Sequence, residues 1–218
     1  MTEKQGMSAT FNACEKLTTI TTCNDLGELT YIGFGFATFD NLHKVVAMNE
    51  ISGWACKIYV MELCQWRSID RFPGIPVGMI DDPYGKFMKK SVYFKGFLIW
   101  LVTDEDKIQL WIVSLGLSRE TFKQKTLPED VNITNANIPR MRLGVLADKL
   151  SFSYYSNREL VVWRLENYTT FENWSMLTIV NLDSLPSIPD INPNQFIAFN
   201  YIEEMDILIL QNYGRLYK

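Results

Sequence analysis

Histidine is nearly absent from this chain: His43 is the only one among 218 residues. Imidazole is the one side chain whose unperturbed pKa lies near neutrality, so a Ser-His-Asp or Cys-His device would have to be built around it. His43 stands between Asp40 and the strand-like Lys44-Val45-Val46, no GxSxG sequence accompanies it, and it reads as a turn or strand-edge residue. No catalytic residue is assigned. Cysteine is scarce too. Cys14, Cys23, Cys56 and Cys64 lack CxxC spacing, and with one histidine they cannot make the usual zinc frameworks, so reduced thiols of a cytoplasmic or nuclear protein are expected. The acidic clusters Asp81-Asp82 and Asp104-Glu105-Asp106 read as solvated turns, and no metal site is assigned.

Other absences narrow the function further. No GxGxxG or GxxxxGK loop is present, so no phosphate cradle and no cofactor are expected. Basic residues form no run longer than Lys89-Lys90, and the formal net charge is -4, which excludes the electrostatic footprint of a nucleic-acid binder. The longest apolar stretches, such as Phe97 to Val102, fall far short of the ~20 residues that span a bilayer, so no membrane partner is expected. The start of the chain also lacks the basic flank and apolar run of a secretory signal.

What the chain does have is apolar and aromatic content, 47% and 13%, the balance of a packed globular protein. It is also repetitive. A shift of about 52 residues superposes Gly96 on Asp148, Trp100 on Phe152, Trp111 on Trp163 and Phe122 on Trp174 without a gap. The same shift carries Met48 onto Trp100 and Tyr59 onto Trp111. Trp66 then meets Phe122 across a loop shorter by about four residues, the kind of change that hairpin loops absorb.

Each unit reads as strands. Val92-Tyr93-Phe94, a Lys95-Gly96 turn and Phe97 to Val102 form a hairpin. After the polar loop Thr103 to Asp106, alternation from Ile108 to Ser114 marks a third strand, and Thr121 to Lys125 a fourth, closed by Leu127-Pro128. The expected class is all-β and propeller-like: four-stranded antiparallel blades, each packing on its neighbours. A sandwich is the main alternative. The units run from about Tyr31 to Asp70, Lys90 to Leu127 and Met141 to Val180. A fourth starts near Phe196 and is expected to lack its final strand. Residues 1–30 form an N-terminal segment, either a disordered tail or, through Lys16 to Thr22, the strand that completes the last blade; residues 31–218 form the domain.

These same residues carry a family resemblance. Gly33-Phe34-Gly35-Phe36-Ala37-Thr38-Phe39-Asp40 with Lys44-Val45-Val46 resembles the "GFGYD…D.YKVV" opening of the plant F-box-associated domain. Ile58 to Leu63 with Trp66 resembles its "VYSL…W" stretch, and Val92 to Trp100 its "V..nG.lyW" hairpin. Glu120-Thr121-Phe122 with Leu127-Pro128 resembles "E.F..i.lP"; Leu143 to Leu150, then Val162-Trp163 through Trp174, resemble the remaining elements in order. The resemblance implies a kelch-like propeller that binds protein substrates for a cullin-type ubiquitin ligase and performs no chemistry itself. It implies docking on the ligase adaptor only where an F-box precedes the domain, and residues 1–30 are too short to hold one.

Loops carry function more often than the scaffold, so the candidate partner-binding residues are Trp54, Tyr84, Asp104, Asp106, Asn157 and Tyr168. Trp54 follows Ser52-Gly53 and reads as an exposed anchor. The other five tryptophans fall on repeat positions and read as core. Two further functional readings stay open: a propeller-fold hydrolase or carbohydrate-binding protein, and a truncated F-box relative that binds partners without docking on the ligase.

Overall fold

The computed structural model describes residues 31–49, 53–77, 91–104, 109–128, 131, 141–168, 172–181, 197–202, 204, 207–212 and 215–217. The candidate closing strand Lys16 to Thr22, Tyr84 and Asp106 lie outside these residues. The described chain is nearly all strand, and no helix in it is long and apolar enough to cross a membrane.

Four antiparallel sheets follow one another along the chain. The first is the meander β1 (Tyr31–Ala37), β2 (Leu42–Asn49), β3 (Ala55–Val60) and β4 (Gln65–Ile69). The second holds β5 (Ile75–Pro76), β6 (Val92–Phe94), β7 (Phe97–Thr103), β8 (Leu110–Gly116) and β9 (Thr121–Thr126). The third is β10 (Arg142–Leu146), β11 (Lys149–Ser156), β12 (Glu159–Asn167) and β13 (Glu172–Asn181); the fourth is β14 (Ile197–Ile202), β15 (Ile207–Asn212) and β16 (Arg215–Tyr217). The repeat read from sequence is thus a repeat of meanders, with three strands described in the last.

The second sheet departs from the four-strand expectation. β6 and β5 both pair with β7, β6 along Phe97 to Ile99 and β5 along Val102 and Thr103. Two prolines in Pro73-Gly74-Ile75-Pro76 make that segment read as loop. A proline is nonetheless tolerated at a sheet edge, and Val77 N–H still donates to the Leu101 carbonyl at 2.8 Å.

The ungapped 52-residue register also hides a slip. Trp100 pairs with Val113 in the second sheet, whereas Phe152 pairs with Trp163 in the third. The third sheet's hairpin closes through the two-residue turn Asn157-Arg158, both at positive φ, in place of the longer connection after Thr103. The slip is an even number of residues, so every side chain keeps its face.

Faces explain the core. In β7, Leu98, Trp100 and Val102 pack toward the first sheet with Val46, Met48, Ile58 and Val60, while Ile99 and Leu101 pack toward the third with Leu150, Phe152 and Trp163. A strand buried on both sides accounts for the unbroken apolar run of β7. The third sheet in turn packs Tyr155, Leu160 and Val162 against Leu208 and Leu210 of the fourth. The first strands also run beside one another, β1 by β6, β6 by β10 and β10 by β14. Nearest-neighbour packing of meanders around their first strands is the propeller-like arrangement.

Candidate partner-binding rim

The strand directions bring the β1–β2, β3–β4, β6–β7, β8–β9 and β12–β13 turns to one rim. The β2–β3, β7–β8 and β11–β12 connections reach the opposite rim. Contacts between turns fix this assignment. Gly96 of the β6–β7 turn lies against Thr38 of the β1–β2 turn, and Leu117 N–H donates to the Gly96 carbonyl at 3.0 Å.

At the first rim the sheets are locked by a buried lysine. The Lys44 ammonium, on β2, donates to Asp40 Oδ2 at 3.1 Å, the Leu117 carbonyl at 2.6 Å and Glu120 Oε1 at 2.7 Å. Its side chain is 1% exposed, so the charge would be costly without partners; three acceptors use all three of its donors. Arg67, on β4, also pairs with Glu120. Close approach of β1 to the second sheet depends on Gly35, where an added Cβ would sit 2.5 Å from the Tyr93 ring and 2.6 Å from Leu117. The glycines of the Gly33-Phe34-Gly35 motif therefore have a packing reason.

These anchored turns hold apolar side chains out in solvent. Phe39, on the β1–β2 turn, is 93% exposed while its main-chain N–H donates to Ser118 Oγ. Leu63, on the neighbouring β3–β4 turn, is 58% exposed, and that turn is pinned by Met61 N–H donating to the His43 carbonyl at 3.0 Å. Beside them Phe34, 54% exposed, stacks on the His43 ring at 5.9 Å and 6°. One exposed apolar residue is ordinary, but two on adjacent turns of one sheet, on a rigid base and with Phe34 exposed on the strand behind them, is the pattern of a contact surface.

His43 is held in place. Its Nδ1 lies 2.7 Å from Glu62 Oε1, its main-chain N–H donates to the same carboxylate at 3.0 Å, and Phe36 flanks the ring. Burial alone would raise the Glu62 carboxyl, but these hydrogen bonds outweigh it and hold the group below the usual carboxylate range. Among the described residues no group of three or more His, Cys, Asp or Glu side chains gathers as a metal centre would require.

The residues singled out by sequence are divided between the rims. Trp54, Asp104 and Asn157 belong to the opposite one. Trp54 is half-buried with φ 63°, its ring tilted against Phe72 at 6.4 Å, so it packs on the core shared by the first two sheets rather than standing fully exposed. Asp104 caps its own loop by accepting from Gln109 N–H at 3.3 Å. Asn157 is an exposed turn residue with φ 49°. Tyr168 reaches the first rim but is half-buried there, edge-on to Phe94 at 5.0 Å and Phe97 at 5.2 Å. Burial pushes its phenol pKa upward. Sequence reasoning passed over Phe39, Leu63 and Lys44, although all three lie inside the quoted motifs. The signal for Phe39 is an aromatic set directly before the turn-formers Asp40-Asn41.

No protein-family model matches the chain. It is similar to the F-box protein At5g49610 of Arabidopsis thaliana, with 22% identity over an alignment 178 positions long that covers 77% of this chain and 46% of the relative. The chain therefore spans about half the length of that curated relative. The likeness is distant and supports at most a relation to F-box proteins.

Proposed function

We propose that this chain is a non-catalytic protein-binding module, the substrate-recognition part of a cullin-type ubiquitin ligase receptor, and that it grips its partner with the rim around Phe39 and Leu63. The observation that carries the rim assignment is the contrast between the two exposed apolar side chains and the fixed turns that bear them, the Phe39 turn by the buried Lys44 network and the Leu63 turn by His43. Binding energy concentrates in a few large residues whose positions are fixed before the partner arrives. The ligase role rests on the motif resemblance and the distant F-box relative. Action in the cytoplasm or nucleus belongs to the same proposal.

The test is affinity capture from cells that make the protein, using wild type, Phe39→Ser with Leu63→Ser, and Asp104→Asn with Asn157→Asp as the opposite-rim control. A partner lost only by the first variant, and carrying less conjugated ubiquitin when the chain is depleted, supports the proposal. Partner sets unaffected by Phe39→Ser with Leu63→Ser would remove this rim, and unchanged ubiquitin conjugation would remove the ligase role.

A further inference from the structure

The outer strands of the first three sheets are built differently. β4 has 5 residues and carries Arg67; β9 has 6 and carries Lys123 and Lys125. Short length and charge are the usual protection of a sheet edge against pairing with another chain. β13 is 10 residues long, its one charged residue is Glu172 at its start, and its outer edge faces no other described strand.

A bulge shapes this edge. Val162 pairs with Thr178 but Trp163 pairs with Met176, which leaves Leu177 as the extra residue. Met176 and Ile179, three apart, would otherwise point to opposite faces. With the bulge they share one, because their partners Trp163 and Val161 lie in the same core cluster. Both remain open to solvent, at 52% and 46%.

We propose that β13 pairs antiparallel with β13 of a second copy of this chain. Charge favours a second copy. An axis through Arg67 would set β4's arginine against itself, and one through Gln124 would set Lys123 of β9 against Lys125, whereas β13 carries no charge from Asn173 to Asn181 to repel its copy there. An axis between Leu177 and Thr178 places Met176 of each copy opposite Ile179 of the other, covering both exposed side chains at once. This edge lies away from the Phe39 rim, so the dimer stands or falls independently of the proposed partner site.

Sedimentation velocity on the whole chain between about 1 and 100 µM tests it, the range in which an interface this small is expected to dissociate. A concentration-dependent dimer that Met176→Lys or Ile179→Lys weakens about tenfold or more is the expected result, from the ammonium then desolvated against the other copy's apolar side chain. A monomer throughout, or a dimer indifferent to both variants, would overturn the proposal. Hydrogen exchange on the wild type covers the case of a misfolded variant: amides of residues 173–181 should gain protection as protein concentration rises, and equal protection at both ends of the range would also overturn it.

Discussion

Between the first and second sheets a buried lysine crosses the junction beside packed rings such as Phe72 on Trp100; between the second and third, Tyr168 packs on Phe94 and Phe97. Lys44 spans from β2 to the Leu117 carbonyl and Glu120, fixing the β1–β2 turn against the β8–β9 turn through three directed bonds. Tyr168 instead lies edge-on to Phe94 and Phe97, and Trp174 packs on the same cluster. Ring contacts are favourable over a range of offsets, whereas a buried ammonium is satisfied in one geometry. Phe39 sits at the junction that holds the lysine, its main-chain N–H on Ser118. Rigid support is what a preorganised contact surface requires, and the comparison locates the rim by that criterion.

The contrast gives measurable consequences. Lys44→Met should cost about 3 kcal/mol, because Asp40, Glu120 and the Leu117 carbonyl lose their donor together, and in a chain of this size the melting temperature should fall by about 10 °C. A loss below about 1 kcal/mol in urea unfolding would mean the tether is replaceable by water. Tyr168→Ala removes a half-buried ring and should cost about 2 kcal/mol, while leaving exchange protection of the β1–β2 turn unchanged. Coupled loss of that protection would erase the distinction between junctions. Gly35→Ala forces its new Cβ against Tyr93 and Leu117 and should destabilise by about 1–2 kcal/mol. An unperturbed variant would show that β1 can back away without consequence.

The smallest effect belongs to an ion cluster within the third sheet. Glu166 is held at about 2 by hydrogen bonds from Lys149 at 2.5 Å and Ser175 at 2.6 Å, with burial opposing and Arg164 at 3.0 Å assisting. Its folded pKa lies below the ~4.3 of an unfolded glutamate, so its stabilisation is complete above that value and is lost as pH falls toward about 2. The carboxylate is a third exposed and solvent screens it, so Glu166→Gln should cost less than about 1 kcal/mol at pH 7 and flatten the acid limb of stability against pH. An unaltered acid limb would mean the cluster contributes nothing.

The repeat is legible in the sequence because Trp100, Trp111, Phe152 and Trp163 have packing duties that recur with the meander. Turn chemistry is legible at Lys95-Gly96, where both residues take positive φ. Three features are not. β5 hides behind its prolines, and the bulge at Leu177 leaves no local signature, being set by pairing with β12. Lys44 reads as surface because a lone lysine in a strand usually is; its acceptors Leu117 and Glu120 come from a turn more than seventy residues away. Phe39 and Leu63 fail for the converse reason. Apolar residues beside strands look like core, and only the fold shows that they face outward.

The binding constant of the isolated chain for a partner captured by the wild type, compared with the Phe39→Ser, Leu63→Ser variant at equal melting temperature, tests the rim assignment most directly. Two lost apolar anchors should raise Kd by at least about a hundredfold, while Asp104→Asn with Asn157→Asp leaves it unchanged. A Kd indifferent to Phe39 and Leu63, or one raised only by the opposite-rim changes, would contradict it.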